Sequence, residues 1–171
     1  AVLPLARRVV EDGKVFRVVL DGMNAERTLI AGESIGDARF FLGRASAYAC
    51  ERKMFGGPIG RNQGIQFPLA RAHAETEAAE LMARKAAALF DNDQPCGPEA
   101  NMAKLLCAEA AWHAGEACMQ TFGGFAFARE YVIERKWREA RLYLTAPIST
   151  NPVLASVSYP QLTPPRPRTM Y

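Results

Sequence analysis

The chain holds three long, alanine-rich stretches almost free of proline, separated by short breaks of glycine and proline. From Asn24 to Phe55 there is no proline, and apolar residues recur at helical spacing: Leu29, Ile30, Ile35, Phe40, Phe41, Leu42 and Tyr48. Asn24 stands where a helix N-cap belongs, which would put Glu26 in a first turn, where the helix dipole favours an acid. Gly56-Gly57-Pro58 ends the stretch. A second helix is predicted from Asn62 or Gln63 to about Phe90, with Pro68 early enough to be tolerated. After a loop at residues 91–97, Pro98 opens a third helix that runs to Phe122 and stops at Gly123-Gly124. A shorter fourth helix, from Tyr131 to about Tyr143, ends before Pro147.

Three long helices and one short one with brief connections predict an all-α fold, an antiparallel up-down helical bundle. Ala108, Ala110, Ala111, Ala114, Gly115 and Ala117 predict close packing of the third helix. The flanks differ. Residues 1–20 carry β-branched clusters, Val9-Val10 and Val15–Leu20, and read as a strand or a frayed start. After Pro152 the helical pattern decays, and residues 158–171 read as a proline-rich tail. The expected organisation is a lead over 1–20, a helical domain over 21–157 and a tail over 158–171.

Composition removes several classes of function. A net charge of +3, with acidic and basic residues alternating along the helices, is too small and dispersed for a nucleic-acid partner. Cys50, Cys96, Cys107 and Cys118 form no CxxC pair, and His73 and His113 have no ligand set around them, so no metal site is expected. Free thiols in a reducing compartment are the simple reading. No apolar run approaches the ~18 residues that a membrane span requires. The opening residues do not read as a secretory signal, and an interior compartment is expected. Pro164-Pro165-Arg166-Pro167 matches PxxP, a pattern too common to carry a function.

No GxGxxG, P-loop, nucleophile elbow or HExxH is present. Four weaker segments occur in one order: Arg52-Lys53-Met54-Phe55-Gly56 with Gln63; Glu99-Ala100-Asn101-Met102-Ala103-Lys104; Gln120-Thr121-Phe122-Gly123-Gly124; and Glu134 to Arg141. In that order and spacing, over roughly residues 20–155, they resemble the C-terminal helical domain of the acyl-CoA dehydrogenase family. The resemblance implies an FAD-dependent oxidoreductase acting on an acyl-CoA, passing electrons to an electron-transfer flavoprotein and assembling as a dimer of dimers. It places the enzyme in a bacterial cytoplasm or a mitochondrial matrix. Residues 1–20 would then be a remnant of the preceding β-domain.

Residue by residue, the resemblance carries over as follows. Arg52 and Phe55 match an Arg-x-x-Phe that reaches the FAD of a neighbouring subunit, and Gln63 matches a glutamine bonded to the same cofactor. A guanidinium is a bidentate partner for a pyrophosphate. Read without the resemblance, the pair is a helix-end arginine beside a core phenylalanine. Gln120, Gly123 and Gly124 match a Gln-x-x-Gly-Gly that approaches the dinucleotide, and also read as a glycine-ended helix. The family's further glycine is replaced by Ala126, a departure expected to crowd the turn.

The catalytic base is the informative position. Dehydrogenation needs a carboxylate in an apolar pocket to take the α-proton while the β-hydride goes to flavin N5. Most members carry this glutamate after the fourth segment, where Pro147 stands here, followed by Ile148 and Ser149. A minority, including the isovaleryl and long-chain branches, carry it on the first long helix in a Glu-Arg-x-x-x-Ala pattern. Glu26-Arg27-Thr28-Leu29-Ile30-Ala31 matches that pattern, which makes Glu26 the expected base. Arg27 and Asn24 would order the substrate pocket. Ser149 and Asn151 replace a threonine and a glutamine that touch the cofactor. Two other functions remain open: a non-catalytic helical assembly module, and an oxidase that passes electrons to oxygen.

Overall fold

The structure, a computed structural model, describes residues 15–162. Helix α1 spans Val15–Glu51, α2 Gln63–Asp91, α3 Gly97–Phe122, α4 Ile133–Tyr143 and α5 Thr150–Leu162. Between α1 and α2 lies a minimal antiparallel hairpin, β1 (Lys53–Met54) and β2 (Gly57–Pro58), followed by a 3₁₀ turn at Ile59–Arg61. Two further 3₁₀ turns, Gly123–Phe127 and Arg129–Tyr131, lead from α3 to α4.

Cross-helix contacts set the directions. Tyr48 stacks on Phe122 and Phe41 faces Gly115, so α1 and α3 run parallel. Arg39 pairs with Glu80, Lys85 with Glu99 and His113 with Glu75, which makes α2 antiparallel to both. Tyr131 meets Tyr48, while Tyr143 reaches back to Asp37, so α4 also runs against α1. The result is the up-down bundle expected from the sequence, and α3 is its central element. Its buried residues include Ala100, Ala103, Cys107, Ala111, Ala114, Gly115, Cys118 and Phe122.

The core is built from small residues. On α1 the buried apolar face is Ala31, Ile35, Ala38, Phe41, Ala45 and Ala49, three or four residues apart. Leu29, which seemed to mark this face, turns outward and is 69% exposed. Alanine faces let helix axes approach closely, and Phe41 fills the space between α1 and α3. A side chain at Gly115 would meet the Phe41 and Trp137 rings at 3.3 Å, so this glycine is required by close approach.

Four expectations need correction. Residues 15–20 are helix, not strand: among the described residues no partner strand pairs with them, and β-branched residues cost a helix only a few tenths of a kcal/mol each. Residues 1–14 lie outside the described residues. Asn24 is consequently not an N-cap. It lies within α1, where its carbonyl accepts the Thr28 hydroxyl at 2.9 Å. Glu26 therefore lies well past the first turn, beyond the reach of the dipole that explained it locally. Finally, the chain is helical after Pro152: this proline falls in the first turn of α5, where backbone N–H groups have no intrahelical partner anyway.

A polar clamp joins α1 to α4. Lys136 contacts Asp37 at 2.7 Å and Glu139 at 2.8 Å, and the Tyr143 hydroxyl donates to Asp37 at 3.2 Å. Burial alone would lower the Lys136 pKa, but the two carboxylates outweigh it and raise the pKa well above the lysine range.

Replacement of Phe41 by alanine is expected to cost about 3–5 kcal/mol, since the fully buried ring leaves a cavity that alanine neighbours cannot fill. Urea unfolding monitored by circular dichroism measures this, and a loss below 1 kcal/mol would contradict the packing. The thiols provide a second test. Burial raises Cys107 and Cys118 to about 12, whereas Cys50 is exposed. Iodoacetamide at pH 8 should modify Cys50 rapidly and reach Cys107 and Cys118 only on unfolding. Because unfolded thiols ionise first, their contribution to stability is intact below the unfolded pKa and is lost as pH climbs toward 12.

Candidate functional site

Most of the residues singled out from sequence fall into three places. The first is a cavity of about 830 Å³ between the start of α1, the α2–α3 loop and α5. Asn24 and Arg27 line it, together with Pro95, Ile148, Pro152 and Val153. Arg27 is 5% exposed, its Nη1 donates to Asn24 Oδ1 at 3.1 Å, and its buried Nε has no hydrogen-bond partner. Burial lowers the guanidinium pKa, and the charge of Glu26 opposes that shift. A buried N–H without a partner carries the full cost of its desolvation.

Glu26, one residue earlier, does not line this cavity and is exposed. The apolar pocket expected around a base is not supplied by the described residues.

Bonded to Ile148 of this lining is a residue named from sequence only within the second segment, with its burial unforeseen. Lys104, on α3, is 1% exposed, and its Nζ donates to the Ile148 carbonyl at 2.7 Å. Burial, and after it the charge of Arg27, holds its ammonium below the usual lysine range. The signal was present: Lys104 occupies a core position in the stripe Ala100, Ala103, Cys107, Ala111.

The second place is a cavity of about 490 Å³ where the C-terminal ends of α1 and α3 meet. Arg52, Gln120, Gly123 and Gly124 line it, drawn from segments far apart in sequence. The Arg52 guanidinium sits 5.7 Å from the Phe125 ring centre, a cation–π contact that keeps it extended over the cavity. Gly123 has φ +59°, and neither glycine has a heavy atom within 4 Å of where a Cβ would stand. Their backbone is therefore open to a ligand. Ala126 is fully buried and takes no positive φ, so the expected crowding does not arise.

Phe55 and Gln63 stand outside this lining. Phe55 is not the core residue of the simpler reading: it is fully exposed at the hairpin tip, with φ +50°. Gln63 opens α2 and is exposed.

The third place is a groove of about 510 Å³ holding Ser149 and Asn151. Trp112, His113 and Arg141 share it, and the Arg141 guanidinium lies 5.5 Å from the centre of the Trp112 ring. Pro147, at the position of the more common base, is half-buried in the α4–α5 connection. Among the described residues no group of three or more His, Cys, Asp or Glu side chains could hold a metal, and no helix is long and apolar enough to cross a membrane.

Comparison with known proteins agrees with this geometry. Residues 13–146 match the family model described as acyl-CoA dehydrogenase, C-terminal domain. An acyl-CoA dehydrogenase of Mycobacterium tuberculosis is 39% identical over 166 residues, 96% of this chain and 43% of that protein. The mitochondrial short-chain specific acyl-CoA dehydrogenase of Bos taurus is 38% identical over 132 residues, 77% of this chain and 32% of its own length. The chain thus spans about two fifths or less of these relatives. Butyryl-CoA dehydrogenase from Megasphaera elsdenii superposes with a TM-score of 0.88 at 27% identity, over 94% of this chain and 42% of that one. A glutaryl-coenzyme A dehydrogenase solved as its glutaryl-CoA complex gives 0.87 at 31% identity, over 94% and 41%. The family match over most of the bundle and the shared architecture lead to one conclusion: this chain belongs to the acyl-CoA dehydrogenase family, whose C-terminal helical domain it carries.

Proposed function

We propose that this chain is the C-terminal domain of an FAD-dependent acyl-CoA dehydrogenase in which Glu26 takes the α-proton of the acyl thioester. The observation that carries the reading is the convergence of Arg52, Gln120, Gly123 and Gly124 on one cavity. The donor set fits FAD. Arg52 offers a planar, permanently charged fork to a pyrophosphate, and the two glycines leave room for backbone approach. Gln63 and Phe55, exposed nearby in sequence, would extend that surface beyond the cavity. Ser149 and Asn151 lie in a separate groove and would hydrogen-bond a cofactor from there. Two cofactor surfaces on one chain accord with a homo-oligomer, a dimer of dimers, in which each subunit touches its own FAD and a neighbour's.

In this reading FAD supplies the acceptor for the β-hydride. The chain's residues do the rest. Pro147 cannot accept a proton, which leaves the carboxylate of Glu26 to remove it and carry it away. Arg27 and Asn24, which line the first cavity, order the acyl-CoA there. Electrons then pass to an electron-transfer flavoprotein. A bacterial cytoplasm or a mitochondrial matrix would suit this chemistry.

A second reading is favoured by one observation, the exposure of Glu26 and Phe55. It holds that the chain is a helical assembly module, catalytically silent until other protein surfaces cover both residues. The visible spectrum after incubation with FAD and removal of the excess separates the two. Retained flavin absorbance, bleached by acyl-CoA, supports the enzyme; a colourless protein supports the module.

Two substitutions test the assignments in the assembled flavoprotein. Glu26→Gln should lower dehydrogenation by at least about a thousandfold while flavin absorbance is retained, because the amide cannot take a proton. Activity within tenfold of the parent would remove Glu26 as the base. Arg52→Ala should weaken FAD binding by about tenfold or more, the loss of a charge-assisted hydrogen bond, read by flavin fluorescence titration. Unaltered affinity would mean that the second cavity does not hold the cofactor.

A further inference from the structure

The α4–α5 connection, residues 144–149, has no regular secondary structure. Yet it places Ser149 and leads directly into Asn151 on α5. Its own turn bonds, such as Thr150 Oγ1 to the Leu144 carbonyl at 3.3 Å, close the segment on itself and do not tie it to the bundle. Among the described residues, the only hydrogen bond into this segment from a helix other than its flanking α4 and α5 comes from Lys104, 44 residues away, to the Ile148 carbonyl.

The nature of that donor is unusual. Lys104 is 1% exposed, on a helix face otherwise made of alanine and cysteine. Among the described residues it has no carboxylate within ion-pair distance, and its neighbouring charge, Arg27, is also a cation. A buried ammonium without a counter-ion costs several kcal/mol, and an apolar side chain of the same length would pack there at lower cost. Core stability therefore does not account for a lysine at this position. Its position does: the carbonyl it grips lies between Pro147 and Ser149, and the next helix is anchored only a turn further on by Val153, 1% exposed.

We propose that Lys104 is a positioning residue: by gripping the Ile148 carbonyl it holds the α4–α5 connection on α3 and so sets Ser149 and Asn151 toward the cofactor. The cofactor half of this statement rests on the reading of Ser149 and Asn151 given above, whereas the grip itself does not. A methionine at this site keeps the length and the packing but removes the donor.

The test is Lys104→Met, read in two ways. In this chain, the Ile148 carbonyl ¹³C resonance should move, and α5 amides from Val153 to Val157 should exchange about tenfold faster, while buried amides of α1 and α3 stay within about twofold. In the flavoprotein assembled with this domain, the FAD dissociation constant should rise about tenfold, with kcat at saturating FAD within about twofold. Unchanged carbonyl shift and α5 exchange would overturn the proposal whatever the cofactor does. Faster exchange throughout α1 and α3 would make Lys104 a fold-stabilising residue and also overturn it. A released α5 with unchanged FAD affinity would keep the grip but overturn its role toward the cofactor, along with the reading of Ser149 and Asn151. If the methionine variant does not fold, Lys104→Leu, which also removes the donor, is held to the same two readouts.

Discussion

The bundle depends on how closely α1 and α3 can approach. Where a bulkier core would hold two helices apart, the alanines of α1 meet the alanines, cysteines and Gly115 of α3, and Phe41 fills what remains. Everything else is referred to this contact. The helix α2 packs across both, α4 lays Trp137 against Gly115, and α5 rests on the first turns of α3. Small residues contribute little apolar area each, so such a core gains its stability from length and density of packing rather than from large side chains. Helices of 37, 29 and 26 residues provide that length.

The buried charged groups lie within α1 and α3 and reach out to neighbouring elements. Asp37 ties α4 to α1 through Lys136 and Tyr143, and Lys104 ties the α4–α5 connection to α3. Arg27 faces a cavity with part of its hydrogen-bonding capacity unused. Groups buried at such cost order segments that helix propensity leaves undecided, and in the proposed reading those segments border substrate and cofactor. The cavities are lined by different sets of elements.

Several residues were misread from sequence for identifiable reasons. Val15–Leu20 has strand-like composition, but a strand needs a partner, and pairing is a property of the whole chain. Asn24 looked like a cap because it precedes a periodic stretch, although α1 had already begun upstream. Leu29 looked like core because it is large, while the buried face is written in alanines, which carry little hydropathy contrast. Phe55, matched to a cofactor contact, stands fully exposed at positive φ. Lys104 was quoted only within a motif, and its burial was not foreseen because a charged residue on a helix is normally solvated.

By itself the sequence determined the helical class, the breaks at Gly56–Pro58, Pro98 and Gly123-Gly124, and the family, because proline, glycine and short ordered motifs act locally. It also determined that Pro147 cannot act as a base, since that is a matter of side-chain chemistry. The tertiary structure alone decided which face of each helix is buried, that Arg52 and Gln120 share a cavity, that Glu26 is exposed, and that Lys104 reaches Ile148. Those are relations between residues tens of positions apart. They follow from how closely the helices can approach, which no local pattern encodes.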